Sequence, residues 1–539
     1  MSPIFASRAE RIVDALLTAD PHLAAEVGDH RADDRLPDLS PGAVAERVAL
    51  LRDASHTLAE VDPDDLAPED GVDLALLQQR VDGLLFELTE IREHEWNPLV
   101  HNPGPLLHHL IARPFAPAEV RLEALRARLT ALPDALATAR AVLGDMPGVH
   151  VGTAIGQFDG VAALVRDQVP ALAAEAPGFA IEPAVTGAVS ALREFTSWLG
   201  GRLDGAERDP RLGRRLWEAR LWHTLDTELG SREILDRAHR HLERLTGEIR
   251  SAAGELLGIA NPDDDTVRRA LERVSAQRPS NDTVVAVATD ALAEATAFVR
   301  EHDLVSLVED PLVIQEMPEF ARGVAVAYCD SVGPLETAEL PTFFAIAPTP
   351  EDWSPERARS FYREYNDHMM RNLTVHEAVP GHYLQLARAR RFRGSTAVRA
   401  LCSSGTFIEG WAVYTEKLMA DTGFGGLPVR LQQLKSHLRM TINAILDQSV
   451  HCDAMTESEA MGLMHDRGFQ EEGEAAGKWR RTLLTSTQLS TYFVGYTEVA
   501  ALAAVRPAAT PLRDWHDAML AHGSPAPRHL GTLLGELTP

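Results

Sequence analysis

The sequence predicts a mainly α-helical protein with one small β element. Apolar residues recur at three- and four-residue steps along most of the 539 residues, which is the spacing of one helix face. Proline- and acid-rich runs at 261–265 and 277–282 predict loops between helices rather than long linkers. Two clear helical stripes are Leu122, Leu125, Leu129, Leu132 and Leu136, and Leu235, Ala238, Leu242, Leu245 and Ile249.

Two short segments depart from the helical pattern. Residues 324–328 (VAVAY) and 342–346 (TFFAI) are apolar runs bounded by Gly and Pro, so we predict a strand at each. The second run could pair with the extended backbone of a substrate, as an added strand does at a sheet edge. A plain hairpin within the core explains the same run equally well.

A long helix is predicted between Ser354 and His376. Ser354 is a good N-cap, and Pro355 suits the first helical position because its missing N–H has no partner there anyway. Large apolar residues then recur on one face as far as His376. His376 therefore lies on the buried stripe of this helix.

The stretch HEAVPGH at 376–382 carries the chemistry of a divalent-metal site. Imidazole and carboxylate bind Zn²⁺, and a Glu beside the first His can take a proton from water. His376 and His382 are six residues apart, whereas the two His of H-E-x-x-H are four apart and share a helix face. Pro380 and Gly381 can break the helix and swing His382 back. A helix end with capped carbonyls is the simpler interpretation of these seven residues alone.

A second helix offers a third ligand. Residues 406–416 (TFIEGWAVYTE) place Glu409 and Glu416 seven apart on one side, among aromatic residues. A carboxylate is costly to bury there unless it is paired or binds a metal. We therefore predict Glu409 as the third ligand. A surface Glu at a helix start, favoured by the helix dipole, is equally consistent with the sequence.

His451 and Tyr492 are candidates for stabilising an oxyanion, a task that a His and a Tyr commonly share in zinc peptidases. Asp447 precedes His451 by four residues on a helical pattern, so its carboxylate could orient the imidazole. An exposed ion pair is the alternative for these two, and a core residue is the alternative for Tyr492. Arg439 could neutralise an acidic group of a substrate or simply be solvated.

Four motifs together resemble the domain-of-unknown-function 885 proteins: HEAVPGHYLQ, EGWAVYTE, DQSVH and STYFVG, which begin at His376, Glu409, Asp447 and Ser490. The run at 21–40 is also similar to that family's opening, so the resemblance spans nearly the whole chain. The family looks related to the gluzincin metallopeptidases, such as thimet oligopeptidase and angiotensin-converting enzyme. Those proteins are mainly helical and hold zinc with two His and a later Glu.

The resemblance implies a large gluzincin-like helical body with a deep central cleft. It further implies one Zn²⁺ held by His376, His382 and Glu409, with Glu377 as the general base, although Mn²⁺, Co²⁺ or Fe²⁺ suit the same donors. Whether Glu416 or His451 joins the metal shell stays open at this point.

The function expected from this resemblance is zinc-dependent hydrolysis of peptide bonds in short peptides. A metal-dependent enzyme that hydrolyses or eliminates from a non-peptide small molecule is the first alternative, and a non-catalytic binding protein on the same scaffold is the second. A soft boundary near residue 310 divides an N-terminal helical half (1–310) from a catalytic half (311–539), which together could form one continuous domain.

Charge and cysteine usage narrow the partners. The net charge is −27 (52 basic against 79 acidic residues), which repels phosphate backbones and anionic lipid, so we expect neither nucleic acid nor membrane as a partner. The acidity is consistent with neutral or cationic substrates, but a solvated acidic surface is the commoner explanation. Cys329, Cys402 and Cys452 are too few for a disulfide framework. Charged residues within 1–17 leave no uncharged apolar stretch of the kind that a signal peptide has. The few cysteines and this N-terminal segment together predict a cytoplasmic protein. The sequence does not predict the oligomeric state.

Overall fold

The computed structural model describes residues 3–318, 326–350 and 353–535, and within them the chain is mainly α-helical with a small β-sheet, as predicted. The helices of the first 310 residues are α1 (Pro3–Ala19), α2 (Pro21–Val27), α3 (Pro41–Ala59), α4 (Pro68–Phe86), α5 (Gly104–Ala112), α6 (Ala118–Val142), α7 (Gly148–Ala173), α8 (Glu182–Gly200), α9 (Arg214–Leu225), α10 (Ser231–Leu257), α11 (Asp264–Val274) and α12 (Val284–Glu301). Shorter helical turns lie at His30–Ala32, Pro63–Asp65, Glu87–Ile91, Glu93–Glu95, Pro98–His101 and Leu203–Gly205.

The helices that follow the sheet carry the motifs. They are α13 (Pro355–Glu364), α14 (Asp367–Glu377), α15 (His382–Ala389), α16 (Val398–Leu401), α17 (Gly405–Thr422), α18 (Gly426–Asp453), α19 (Glu457–Asp466), α20 (Glu472–Leu484), α21 (Ser490–Ala504), α22 (Leu512–Met519) and α23 (Pro527–Leu533).

The apolar stripes form the cores that the sequence predicts. All five leucines of the α6 stripe are buried against α7 and α8, and each contributes about 1.5–3 kcal/mol to stability through its burial. A second core joins α9, α10 and α11 to α17, α18 and α21, and a third joins α1–α4 to α16. Residues from both sides of position 310 therefore share two cores.

No helix in the described part of the chain combines the length and the apolar character that crossing a bilayer requires.

The helix predicted from Ser354 to His376 is two helices. Ser354 caps α13 by accepting from the Arg357 N–H, as its N-cap assignment predicts. Asn366 then starts α14 afresh, because its side chain accepts from the backbone N–H of His368 and Met369. This second cap sets the direction of α14, which ends in the HEAVPGH stretch.

The β element is a three-stranded sheet with the order β1 (Leu312–Glu316), β3 (Thr342–Ile346), β2 (Ala327–Asp330). The strand at 342–346 is confirmed. The other predicted strand begins only at Ala327, and residues 324 and 325 lie outside the described residues. β1 was not predicted. β3 pairs with β1 in parallel and with β2 in antiparallel fashion, so both of its edges are used. Of the two alternatives that the sequence left open for this run, pairing with a substrate strand is therefore excluded.

Candidate metal centre

The six-residue spacing of the motif is explained by a sharp chain reversal after α14. The helix ends at Glu377, and the Gly381 N–H then donates to Val375 O at 2.9 Å, which folds the chain back onto the last turn. A Cβ on Gly381 would lie 1.9 Å from His376 O, so only glycine fits at this approach. The Trp411 indole N–H holds the reversal from α17 by donating to Pro380 O at 2.8 Å.

The reversal brings the three predicted ligands together. His376 Nε2 lies 3.4 Å from Glu409 Oε2, and His382 Nε2 lies 3.5 Å from the same oxygen. Ligand atoms about 2.1 Å from a tetrahedral Zn²⁺ are about 3.4 Å from one another, so the spacing suits such an ion. In the described part of the chain this is the one group of three or more His, Cys, Asp or Glu that could hold a metal.

The donor atoms also have the chemistry that a cation requires. Glu409 Oε2 is buried and has no hydrogen-bond donor among the described residues, which is costly for a carboxylate unless a cation compensates it. The side chains of His376, His382 and Glu409 keep 13%, 10% and 20% exposure, so solvent reaches the site. The residues present therefore fit a divalent metal.

A second carboxylate orients the first imidazole. Glu416 Oε1 lies 2.7 Å from His376 Nδ1, and its other oxygen accepts from Asn372 Nδ2 at 2.6 Å. Burial lowers the pKa of His376, but the carboxylates of Glu409 and Glu416 outweigh it and raise the pKa well above its usual value. The carboxylates of Glu409 and Glu416 thus favour a positive charge at His376. Glu416 contacts the ring nitrogen of His376 that faces away from Glu409, which is where the supporting carboxylate of a metal-bound His lies.

Glu416→Gln is expected to weaken metal binding about 10- to 100-fold without abolishing it, because the amide supports the imidazole less well than the carboxylate does. Competition with a chelator of known affinity measures the change. Glu356→Gln, which alters an exposed glutamate of α13, is the matched control. An unchanged metal affinity in Glu416→Gln would show that His376 needs no such support.

The predicted general base lies within the same group. Glu377 is buried, and burial raises the pKa of its carboxyl, while the imidazoles of His376 and His382 and the backbone of Cys329 act in the opposite direction. β2, which carries Cys329, is an edge strand among the described strands. The raised pKa makes Glu377 a stronger base than an exposed glutamate.

Tyr492 reaches this region because two helices meet backbone to backbone. A Cβ on Gly410 of α17 would lie 2.4 Å from Gly495 C on α21, so both motif glycines are needed for the contact. The Tyr492 hydroxyl accepts from Arg481 at 3.0 Å and from Gln488 at 3.3 Å. Its own proton has no acceptor in the described residues. Tyr492 stays a candidate oxyanion donor.

His451 does not have the position that its predicted role needs. Its Nδ1 accepts from the Leu212 N–H at 3.4 Å, and its Nε2 donates to the carbonyls of Thr482 and Thr485 at 2.9 Å each. Neither ring nitrogen is left for an oxyanion, nor for the metal shell. The role predicted for His451 is therefore wrong, because backbone groups that are distant in sequence occupy the ring.

The partner predicted for His451 is engaged elsewhere too. Asp447 accepts from Trp217 Nε1 at 3.0 Å, from the Thr487 N–H at 2.8 Å, and from Ser490 N and Oγ at 3.0 and 2.8 Å. The DQSVH motif thus ties α18 to α9 and to the start of α21, the helix that carries Tyr492. Its role is to position that helix.

Arg439 is likewise paired within the protein. Its Nη2 donates to Glu364, a buried carboxylate that Lys435 also contacts at 2.7 Å. Arg439 Nε lies 3.9 Å from Glu474. Neither alternative that the sequence left open for Arg439, a substrate group or plain solvation, holds, because carboxylates of α13 and α20 already pair with it. Arg481, which sequence reasoning missed, donates to the Tyr492 hydroxyl, and Tyr492 followed by Glu409 raises its pKa.

The comparisons with known proteins agree with the motifs. The family described as "Bacterial protein of unknown function (DUF885)" matches residues 21–534. The chain belongs to this family. The match confirms the resemblance drawn from the four motifs and the N-terminal run. No curated protein matches the chain.

Two solved structures have the same fold. One is a "putative lipoprotein of unknown function" from Shewanella oneidensis, with 26% identity, a TM-score of 0.81, and coverage of 98% of this chain and 99% of the other. The second, the "putative lipoprotein" from Colwellia psychrerythraea, has 16% identity, a TM-score of 0.80, and coverage of 99% and 98%. The second likeness shows the fold alone.

Proposed function

We propose that the protein is a zinc-dependent metallopeptidase that hydrolyses short peptides. One observation carries the proposal. The Nε2 atoms of His376 and His382 lie 3.4 and 3.5 Å from Glu409 Oε2, and this buried oxygen accepts no hydrogen bond from the described residues. Glu377 lies beside this group and has a raised pKa. A base next to a site for a Lewis acid is the arrangement that amide hydrolysis needs.

Each residue has a defined task in this reaction. His376, His382 and Glu409 would hold the metal, and Glu416 would orient His376. A divalent ion bound there would supply Lewis acidity, which lowers the pKa of a water and polarises a carbonyl. Glu377 takes the proton of the attacking water on its carboxylate and gives it to the leaving amine. Tyr492 donates its O–H to the oxyanion of the tetrahedral intermediate.

The sheet supports a peptide as the substrate. β2 contacts α14 and is one edge strand of the sheet in the described residues. The backbone of its Cys329 forms a hydrogen bond with the Glu377 carboxyl. An extended peptide that pairs with β2 would have its backbone next to the general base. This feature favours a peptide over the non-peptide small molecule that the sequence also allows.

The cytoplasmic location stays a prediction. Cys329, Cys402 and Cys452 are free thiols, which fits a reducing compartment. The word lipoprotein describes the Shewanella and Colwellia proteins, and it is not carried over to the location of this chain.

Elemental mass spectrometry of protein purified without chelator tests the metal site. We expect one equivalent of zinc in the wild type and about a tenfold or greater loss of occupancy in His376→Ala, His382→Ala and Glu409→Ala, because each removes one of three ligands. His368→Ala, on α14 but outside the site, is the matched control and should keep its metal.

Two results would contradict the proposal. A wild type without metal would favour the binding-protein alternative, and full occupancy in His382→Ala would show that the chain reversal does not create a ligand. If the metal is found, a library of short peptides followed by mass spectrometry tests for hydrolysis. Zinc without cleavage of any peptide would favour a non-peptide substrate.

A further inference from the structure

Two cationic side chains near the metal centre lack a carboxylate partner. Lys478 and Arg481 lie one turn apart on α20; Lys478 is 8% exposed and Arg481 is half-buried. The chain has three lysines. Lys417 and Lys435 each form an ion pair, whereas Lys478 forms none with the described residues. A buried ammonium without a partner is unfavourable for folding.

Arg481 is only partly satisfied. Its Nη2 donates to Gln488 Oε1 at 2.9 Å and to the Tyr492 hydroxyl at 3.0 Å, both uncharged groups. Its Nε is buried without an acceptor among the described residues. Arg481 therefore has a free donor and forms no ion pair with the described residues, and a planar anion such as a carboxylate suits the guanidinium.

The buried carboxylate of α13 and the Glu474 carboxylate of α20 have other partners. Glu364 is held by Lys435 and Arg439, and Glu474 accepts from the Tyr365 hydroxyl at 2.9 Å. Arg439 also lies 3.9 Å from Glu474. Glu474 attracts both cations and Glu409 attracts Arg481, but no carboxylate of the described residues forms an ion pair with either one. This is notable because the chain as a whole is strongly acidic.

The position of the pair relates it to the metal centre. Tyr492 raises the pKa of Arg481 most, and the carboxylates of Glu409 and Glu474 add to the effect. Burial lowers the pKa of Lys478 most, and the charge of Arg481 adds to it. Arg481 also holds the hydroxyl of Tyr492. A group bound by Lys478 and Arg481 therefore lies next to Tyr492, the candidate oxyanion donor.

We propose that Lys478 and Arg481 bind a carboxylate of the substrate, and that this carboxylate is the C-terminus of the peptide. The inference rests on the proposed function and deepens it, because it makes the enzyme one that cleaves near a free C-terminus. Every peptide carries that carboxylate regardless of its side chains. The acidity of the whole chain would otherwise disfavour a substrate with a negative end.

The protonation of Lys478 supports this assignment. Burial, assisted by the nearby charges of Arg481 and Arg439, lowers its pKa to about 7, and Glu474 acts in the opposite direction. A bound carboxylate stabilises the charged ammonium. Binding of a peptide acid above pH 7 should therefore take up a proton, which the amide of the same peptide would not cause.

Calorimetric titration of the full-length Glu377→Gln protein with zinc, in which hydrolysis is blocked, tests the proposal. The probes are tetra-alanine, tetra-alanine amide, and Ala-Ala-Ala-Glu amide. We expect the free acid to bind about 10- to 100-fold more tightly than the first amide. Lys478→Met should reduce this preference to about twofold or less, and Lys417→Met, which alters the lysine that pairs with Asp421, should retain it.

Three results would overturn the assignment. The first is equal affinity for tetra-alanine and its amide, and the second is a preference that survives Lys478→Met. The third is equal binding of the glutamyl amide and tetra-alanine, which would mean that the site recognises a side chain. A carboxylate preference in a protein that cleaves no peptide would contradict the proposed function instead, so the two failures are distinguishable.

Thermal unfolding distinguishes a role of Lys478 in substrate binding from a role in stabilising the fold. The pKa of Lys478 is about 7 in the folded protein, whereas an ordinary lysine has a pKa of 10.5. The folded state therefore disfavours the proton, and Lys478→Met should raise the melting temperature at pH 7. A lost preference together with a lowered melting temperature would show that Lys478 supports the fold, and would overturn the proposal.

Discussion

Replacing Glu377 by Gln is expected to lower kcat/KM for peptide hydrolysis about 10²- to 10⁴-fold, because the amide cannot accept the proton of the attacking water. The metal content should not change, since Glu377 is not among the three proposed ligands. The glutamine keeps the size of the buried side chain, so the fold should be retained. Kinetics and elemental analysis on the same preparation measure both effects.

The pH profile of the wild type tests the same residue independently. Glu377 acts as a base only when it is ionised, and burial raises its pKa above the usual value. The rate should therefore fall as the pH is lowered through this raised pKa, above the 4.5 of an ordinary glutamate. Glu356→Gln is the control for loss of a glutamate. Retained activity in Glu377→Gln, or loss of its metal, would contradict the assigned role.

The candidate ligands were found in the sequence through their residue types, their apolar surroundings and the family resemblance, and not through helical spacing, because two His six residues apart do not share a helix face. The three proposed ligands lie on apolar-patterned segments with unusual charges, and a carboxylate among aromatic residues indicates a compensating partner. Helical spacing could, however, have identified Asn372 and Glu416, the two residues that support the His376 imidazole. Asn372 precedes His376 by four residues, and Glu416 follows Glu409 by seven, so each pair shares a helix face.

Other parts of the site depend on contacts between distant segments. His451 and Asp447 have the spacing of an orienting pair. In the structure, however, the His451 ring donates to a backbone carbonyl of α20, and the Asp447 carboxylate accepts hydrogen bonds from α9 and α21. Nothing in the local sequence distinguishes Arg481 from its exposed neighbour Arg480. Only the packing of α20 against α18 and α21 does so.

The strand prediction shows the same limit. The run at 342–346 has the composition of a strand, and the structure has a strand there. Whether a strand lies at an edge or in the centre depends on its neighbours, and β1 was not predicted. With β1 on one side and β2 on the other, β3 cannot bind a substrate strand, and the edge strands of the described sheet are β1 and β2.

Gly381→Ala is expected to disrupt the metal centre as strongly as the loss of a ligand. Its Cβ would lie 1.9 Å from His376 O and 2.3 Å from Val375 O, and both are backbone atoms of the turn that carries the first ligand. Relief of this clash must move His382 away from His376. We expect at least a tenfold loss of metal affinity and a loss of stability of about 1–3 kcal/mol or more.

Gly462→Ala on α19 is the matched control, because a Cβ there meets no atom within 4 Å, and alanine in a helix interior should stabilise by about 0.5–1 kcal/mol. Chelator competition and thermal unfolding of both variants measure the difference. Wild-type metal affinity in Gly381→Ala would mean that the six-residue spacing tolerates another backbone path. Loss of metal with a folded protein would show that the spacing works only because this glycine lets the chain return across its own helix end.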